Sequence, residues 1–574
     1  MTYSLWRSVK QLMVIVTGVV LINCGGGSST PEGDSSVSDL PENNNSDSTK
    51  DDGSTAAWRL PAGHYVTAKM PPRIIFPRPD TEITNASARQ KRASTQFEYR
   101  IPIIVQGGAY PFKYELVGVE GVDYPSGMTI GETLVASADG TLVPPDNYGE
   151  IRWQPSGTGI QADGQNFSFT VRVTDQDGSI ATSDGSNIGG NNGGVNQDVT
   201  ITGTIDNAAF VFVDKDGGGS LTDLDQIYLN DQTDSTYAGK IIVLREASTM
   251  YNNAGDPNAR GEALLNTNKP LSYIGYPDER PIINLNSASF VVNGVSDTFF
   301  YNLVFDGVYD RDVETESSKN SYFGFRVVGV GHRATWSKVR FQNAIAALPS
   351  LGYNNGCITT SDAGAYRNYI AITNSEFENL DSSANGISAI ALNVSRYFVF
   401  ARNLISNARS RSIIYNKSGN ADLSFRANTL INSNNNYSFG FLLNNTNRGP
   451  GTFTSQRVES AYNLGIASND TMQLYRINQG VSASADATDM WTYRNTMIGE
   501  YHWRANGIGP NYMENEVIIN DKGGVTLQPN EAIVINETGT FTDTRASGAV
   551  DLLTGKLAGT ARTNHLGQKG FEIQ

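Results

Sequence analysis

Asn302-Leu-Val-Phe305, Lys338-Val-Arg-Phe341 and Asn374-Ser-Glu-Phe377 are one phrase written three times, each start 36 residues after the last. Five looser copies follow: Asn403-Leu-Ile-Ser406, Asn428-Thr-Leu-Ile431, Asn463-Leu-Gly-Ile466, Asn495-Thr-Met-Ile498 and Asn515-Glu-Val-Ile518. Asn opens seven of the eight, and a large apolar residue ends seven of the eight. Self-similarity at a spacing of 20 to 36 residues marks a solenoid. Each segment reads as a strand stacked on its neighbour at about 4.8 Å. The fourth position then points into a shared core, so Phe305 lies on Phe341 and Phe341 on Phe377, with the isoleucines beyond. The Asn column sits at the corner before the strand, where Asn tolerates the left-handed backbone and its amide can hydrogen-bond along the stack. Uneven spacing means that insertions leave the coil at other corners.

Working outward, Phe210-Val-Phe-Val213, Lys240-Ile-Ile-Val-Leu244, Leu271-Ser-Tyr-Ile274 and Pro281-Ile-Ile-Asn284 supply the first rungs of a coil expected over 206–520. Residues 521–574 read as a β cap or extension, since a bare solenoid end would be a sticky edge. A β-propeller needs longer blades with several strands each, which the spacing does not provide. The stretch Ser272 to Asn284, SYIGYPDERPIIN, resembles right-handed parallel β-helix proteins of the pectate-lyase-like superfamily. The resemblance implies a right-handed parallel β-helix.

Residues 58–205 read differently. Phe97, Tyr99, Ile101, Ile103 and Val105 alternate, and so do Phe112 to Leu116, Glu150 to Trp153 and Phe167 to Val173. Short strands between turn signals predict a β-sandwich. The order GGAYPFKYEL, YPSGMTIG, GEIRWQPSG, FSFTVRVTDQDGS resembles the Ig or cadherin-like modules of bacterial surface proteins, and implies a spacer or adhesive unit. The fold class is therefore all-β, an Ig-like β-sandwich followed by a parallel β-helix. Asp175 and Asp177 could help hold Ca²⁺ between domains, against the plainer reading of a solvated Asp-x-Asp-Gly turn.

At the N-terminus Arg7 and Lys10 precede an uncharged apolar run, Leu12 to Ile22, too short to span a bilayer but of signal-peptide length. Leu21-Ile22-Asn23-Cys24 resembles the lipobox of bacterial lipoproteins, although Asn23 stands where Gly, Ala or Ser is usual. The resemblance implies a signal over 1–23, lipidation of Cys24 and attachment to a lipid bilayer. Cys24 is not followed by Asp, which in Gram-negative lipoproteins implies the outer membrane and cell surface. Residues 24–57 are Gly/Ser/Asn-rich, and seven acids face Lys50 alone between residues 31 and 54. Such a segment makes a self-repelling tether.

The chain holds 574 residues with a formal net charge of −15. That balance offers no basic face for nucleic acid, and it repels a polyanion unless a local basic patch or a cation intervenes. Two cysteines, Cys24 and Cys357, exclude a disulfide framework, and Cys357 reads as a small buried apolar residue.

The catalytic search ends open. Relatives by resemblance include lyases, hydrolases and esterases, and a fold does not choose among them. The Asp-Asp and Gly-His-Gly of the polygalacturonase type are missing, because Gly331-His332-Arg333 stands instead and Asp51-Asp52 lies in the tether. Asn355-Gly-Cys-Ile-Thr359 lacks the Glu of the alginate-lyase type. A uronate lyase needs a base and a counter-cation, for which Lys338, Arg340 and Arg367 are candidates. Arg340 and Glu376 could equally form a plain cross-rung pair. His332, Arg333, Tyr366 and Arg402 are candidates for binding sugar. Asp214, Asp216, Gly218, Ser220 and Asp225 match the spacing of a Ca²⁺ loop, although a strand precedes it and an acidic turn accounts for the same residues. The expectation is a lipid-anchored surface protein whose coil binds polysaccharide. A lyase acting on an acidic glycan and a purely adhesive or structural protein are the alternatives.

Overall fold

The computed structural model describes residues 68–557 apart from interruptions, the longest being 184–197, 309–324 and 446–455; residues 1–67 and 558–574 lie outside it, and Cys24 with them. The chain is a parallel β-helix. Three all-parallel sheets of twelve, eleven and ten strands run its length, and each rung of the coil visits them in the same order. One rung, for example, passes from Ala334–Ser337 in the first sheet to Arg340–Ile345 in the second and Asn355–Thr360 in the third. The coil starts at Phe210–Val213 and its sheets continue to Gly539–Phe541. Between the first and second sheets the first two corners, 245–250 and 276–281, are six residues long, and the described corners after them are two, such as Asn302–Leu303 and Lys338–Val339. In those later rungs the longer connections fall at the other two corners.

Inside the coil like stacks on like. The rings of Phe305 and Phe341 lie 5.0 Å apart and those of Phe341 and Phe377 5.4 Å apart, both stacked. Tyr273, Phe300 and Trp336 form a second stack at 5.5 and 5.7 Å. Each such pair adds about 0.5–1.5 kcal/mol beyond the area it buries. Cys357 lies in this core, fully buried, as its apolar setting in the sequence suggests.

The corner column differs from its sequence reading in one respect: it is two columns. The left-handed backbone belongs to Asn302, Lys338 and Asn374, and in later rungs to Arg402, Ala427 and Tyr462. Asn403, Asn428, Asn463 and Asn495 stand one residue further on and are buried. There Asn403 Oδ1 accepts the Ser375 backbone N–H at 2.9 Å, and the side-chain oxygens of Asn428, Asn463 and Asn495 each accept two hydrogen bonds from the rung before. Asn463 Oδ1 takes the Asn428 backbone N–H at 2.9 Å and the Asn428 amide at 3.0 Å, and Asn428 Oδ1 takes the same pair from Asn403 at 3.0 and 3.1 Å. The core column slips accordingly. Phe377 pairs with Ile405, then Leu430, Gly465 and Met497, and not with Ser406, Ile431, Ile466 and Ile498.

Residues 73–205 form an all-β module whose ladders are antiparallel except for Arg92–Ala93, which pairs parallel to Asp198–Ile205. Its largest sheet orders Arg92–Ala93, Asp198–Ile205, Asn166–Thr174 and Lys113–Leu116, and a second orders Tyr99–Pro102, Glu150–Trp153 and Thr129–Ile130. Expected as a spacer, the module instead lies along the outer surface of the coil's first sheet. The sequence of that sheet explains why. Ile241-Ile242-Val243-Leu244 and Thr298-Phe299-Phe300-Tyr301 are buried at every position, the mark of a strand covered on both faces. Val243, Phe299, Tyr301, Tyr397 and Val399 share one apolar cluster with Phe76, Phe97, Tyr99 and Tyr110 of the module. Phe76 stacks on Phe299 at 5.4 Å, and Phe97 meets Phe210 edge-on at 5.0 Å. Only the short turn Asn207–Ala209 separates the module's last strand from the coil's first, which holds the two in place.

Candidate functional site

The module decides which coil surfaces remain open, and it disperses the basic residues singled out in the sequence. Lys338 points under it, donating to Glu150 at 3.0 Å. Burial lowers the Lys338 pKa and the Glu150 charge opposes that shift. Burial by itself would raise Glu150, but Lys338, Tyr301 and Arg152 converge on its carboxylate and hold it below the usual range. Arg402 lies over the Tyr148 ring at 4.7 Å. Arg426, fully buried, pairs with Glu459 at 2.5 Å and donates to the Gly107 carbonyl of the module at 2.7 Å. These cations hold two parts of the protein together.

Arg367 is fully buried and donates to the Asn393 carbonyl at 3.2 Å. His332 accepts from the Asn368 backbone N–H at 3.2 Å, and burial, aided by Arg333, lowers its pKa. Arg333 is bound by Asp297, at 2.5 Å through Nε. Tyr366 lies outside the described residues.

The proposed Ca²⁺ loop has its carboxylates directed elsewhere. Asp214 Oδ1 accepts from the Asp216 backbone at 3.1 Å, Asp216 accepts from Ser248 N and Oγ at 2.7 and 2.6 Å, and Asp225 opens a single helical turn, Asp225–Tyr228. Gly218 stands at a φ of 109° and Ser220 N donates to the Phe212 carbonyl at 2.8 Å, so both shape the turn. Among the described residues no three His, Cys, Asp or Glu side chains gather as metal ligands. These residues do not fit a Ca²⁺ cage. Asp175 likewise organises its own turn, accepting from Ala109 N and Ser179 N at 3.0 and 2.7 Å, while Asp177 accepts from Ala68 N at 2.8 Å.

What remains open among the described residues is the outer face of the second sheet. Its strands Val304–Asp306, Arg340–Ile345, Glu376–Asp381 and Leu404–Ser406 pair in register, with the phenylalanines turned inward. Alternation therefore turns Arg340, Gln342, Glu376 and Glu378 outward. One row is ionic: Arg280 reaches Glu376 at 3.0 Å, and Arg340 reaches Glu376 at 3.5 Å and Glu378 more closely still. The cross-rung pair foreseen between Arg340 and Glu376 is thus present, and the exposure of about a third on each side makes it weak. A second row is made of amides. Gln342 donates to Asp306 at 2.6 Å, Asn343 to the same carboxylate at 3.2 Å, and Asn379 to the Asn343 oxygen at 3.1 Å. Asn343, Asn379 and Asn407 all hold the left-handed backbone, with φ of 51–53° as for Asn374. The sequence reading passed over this row. Its signal is Phe-x-Asn, in Phe341-Gln-Asn343 and Phe377-Glu-Asn379.

No protein-family profile matches the chain, and no curated protein matches it. Among solved structures it is similar to a rhamnogalacturonan lyase, at 13% identity and a TM-score of 0.37 over 63% of this chain and 99% of that one. It is also similar to the family 28 exopolygalacturonase of Yersinia enterocolitica, at 11% identity and a TM-score of 0.26 over 69% of this chain and 85% of that one. The class of this protein, a parallel β-helix with a β module fused along one sheet, rests on the strand pairing itself.

Proposed function

We propose that this protein binds an extended polysaccharide along the open face of its second sheet, and that it does so at the cell surface, anchored through acylated Cys24. The observation that carries the reading is the pair of polar rows on that face. A polar side chain recurs once per rung, in the register column Asp306, Gln342, Glu378, Ser406 and in the neighbouring Asn343, Asn379, Asn407, at a rise of about 4.8 Å, close to the length of one sugar unit in an extended chain. A strand of sugars lying along the coil would meet a hydrogen-bonding group at each step. The groups are fixed by neighbours before the ligand arrives, which lowers the ordering cost of binding. Asp306, Glu376 and Glu378 outnumber Arg280 and Arg340, and the chain carries −15 overall. Both favour a neutral glycan over a polyanion.

The test is a glycan array probed with residues 56–574. Retention of an extended neutral glycan is expected, with at least about tenfold weaker binding, near 1.4 kcal/mol, when Arg340→Ala and Glu378→Ala are combined. No glycan retained by the unaltered protein would remove the reading. The lyase alternative has its own readout, an ultraviolet-absorbing unsaturated product from alginate or pectate. Lys338 beneath the module and Arg340 between two glutamates are poorly placed to supply it with a base.

A further inference from the structure

The amides on the open face of the second sheet form a chain with a direction. Asn379 donates to the Asn343 oxygen at 3.1 Å, and Asn343 donates to Asp306 at 3.2 Å. Asp306 is the closed end. It is 5% exposed, and it also accepts from the Val308 backbone N–H and from the Gln342 amide, both at 2.6 Å. Both N–H links of the chain thus point towards a carboxylate, which polarises each amide in turn and strengthens its oxygen as an acceptor. Asn379 is the open end. A side-chain amide has two N–H donors and an oxygen with two lone pairs, and Asn379 spends one N–H on Asn343. Among the described residues no donor reaches its oxygen, and the side chain is only half-buried.

A second observation concerns apolar surface. Among the described residues the coil exposes two large apolar side chains, Val308 and Leu404, each 37% exposed. Both border this face. Val308 follows the strand Val304–Asp306, and Leu404 opens the strand Leu404–Ser406, where it stands in register with Glu376. An apolar group that covers either side chain leaves water together with it.

We infer that the glycan of this face is a polymer of N-acetylated amino sugars. The inference rests on the reading of the face as a glycan site and names the sugar. An acetamido group is neutral and brings both a directed N–H and a methyl. Its N–H donates to Asn379 Oδ1, continuing the chain as Asn379 continues that of Asn343. The carbonyl of a trans amide points away from its N–H, so it is carried on along the coil, as in the peptide units of a sheet. The methyl covers the exposed apolar surface beside the row. A hydroxyl could donate to the same oxygen, but its hydrogen rotates to suit any partner and it brings no methyl.

The test is calorimetric titration of the full chain in detergent with two β-1,4-linked hexamers that differ only at carbon 2, one of N-acetylglucosamine and one of glucose. The acetylated hexamer should bind at least about tenfold more tightly. Asn379→Gly removes the amide and keeps the left-handed backbone, φ 53°, at no steric cost. It should bring the two affinities together, and Leu404→Ser should narrow the gap as well. Equal affinities in the unaltered protein, tighter binding of the glucose hexamer, or an undiminished preference in Asn379→Gly would overturn the inference and leave the glycan reading standing. Heat from neither hexamer would overturn it too, and retention of any other glycan on the array then shows whether the reading of the face survives.

Discussion

The difference between Asn374 and Asn428 shows how one residue type serves two physical ends in adjacent positions. Asn374 holds a left-handed corner at φ 51°. Glycine adopts that conformation without a Cβ penalty, so Asn374→Gly should leave stability within about 1 kcal/mol. Asn428 is 1% exposed, and its amide satisfies groups on two rungs. Asn428→Ala should cost about 1–3 kcal/mol for each buried group left unsatisfied. Chemical denaturation of both variants checks the pair, and equal losses would mean that the two columns are not distinct. Phe341→Ala, which removes a ring stacked on both sides, should cost about 3–5 kcal/mol. The sequence exposed the repeat but not this distinction, because Asn is favoured at either position. The slip happens between Asn374 and Asn403, where a start-to-start spacing of 29 conceals a structural period of 28 to Arg402. Arg402, Ala427 and Tyr462 carry a left-handed backbone that nothing in their side chains announces.

At the scale of elements, the module's strand Glu150–Trp153 brings a carboxylate into contact with a coil strand through Tyr301 and with the next rung's corner through Lys338. The Glu150 pKa is held below its ordinary value despite burial, because Lys338, Tyr301 and Arg152 favour the charged form. A carboxylate lowered on folding adds stability that is complete above the unfolded pKa, about 4.3, and is lost as pH falls through the folded value. Lys338 is protonated in both states in that range and adds no slope. Melting temperature should therefore fall below about pH 4, and Glu150→Gln should flatten that fall while lowering stability at neutral pH. A Glu150→Gln profile that parallels the unaltered one would show that the docking carboxylate is not what titrates. The strands of both parts were readable from alternation and from apolar runs. Their docking was not, although its trace was there. Ile241 to Leu244 and Thr298 to Tyr301 are apolar or buried on both faces, which a coil with one solvated face does not need.

For the molecule as a whole, the consequence is that the coil does not stand alone. Without the module, Phe299, Tyr301, Tyr397, Val399 and Tyr462 would form a long apolar strip, beyond what a soluble monomer exposes. Residues 207–574 expressed by themselves should self-associate, seen as a rise in light scattering that the longer chain does not show. The candidate face on the second sheet was half legible. Arg340 and Glu376 stood out in the sequence, whereas the amide row became visible only when the strands were set in register. The basic residues gathered in sequence around the central rungs separate in space, because three faces share each turn of the coil.

The account turns on which face is covered and which is open. In a Cys24→Ser background, single cysteines at Val399, on the covered first sheet, and at Leu404, 37% exposed on the second, can be timed against a maleimide in the native state. The Leu404→Cys thiol should react in seconds and the Val399→Cys thiol only at the rate of global unfolding. Equal, fast labelling at both positions would mean that the module does not lie on the coil, and the open face argued from it would lose its basis.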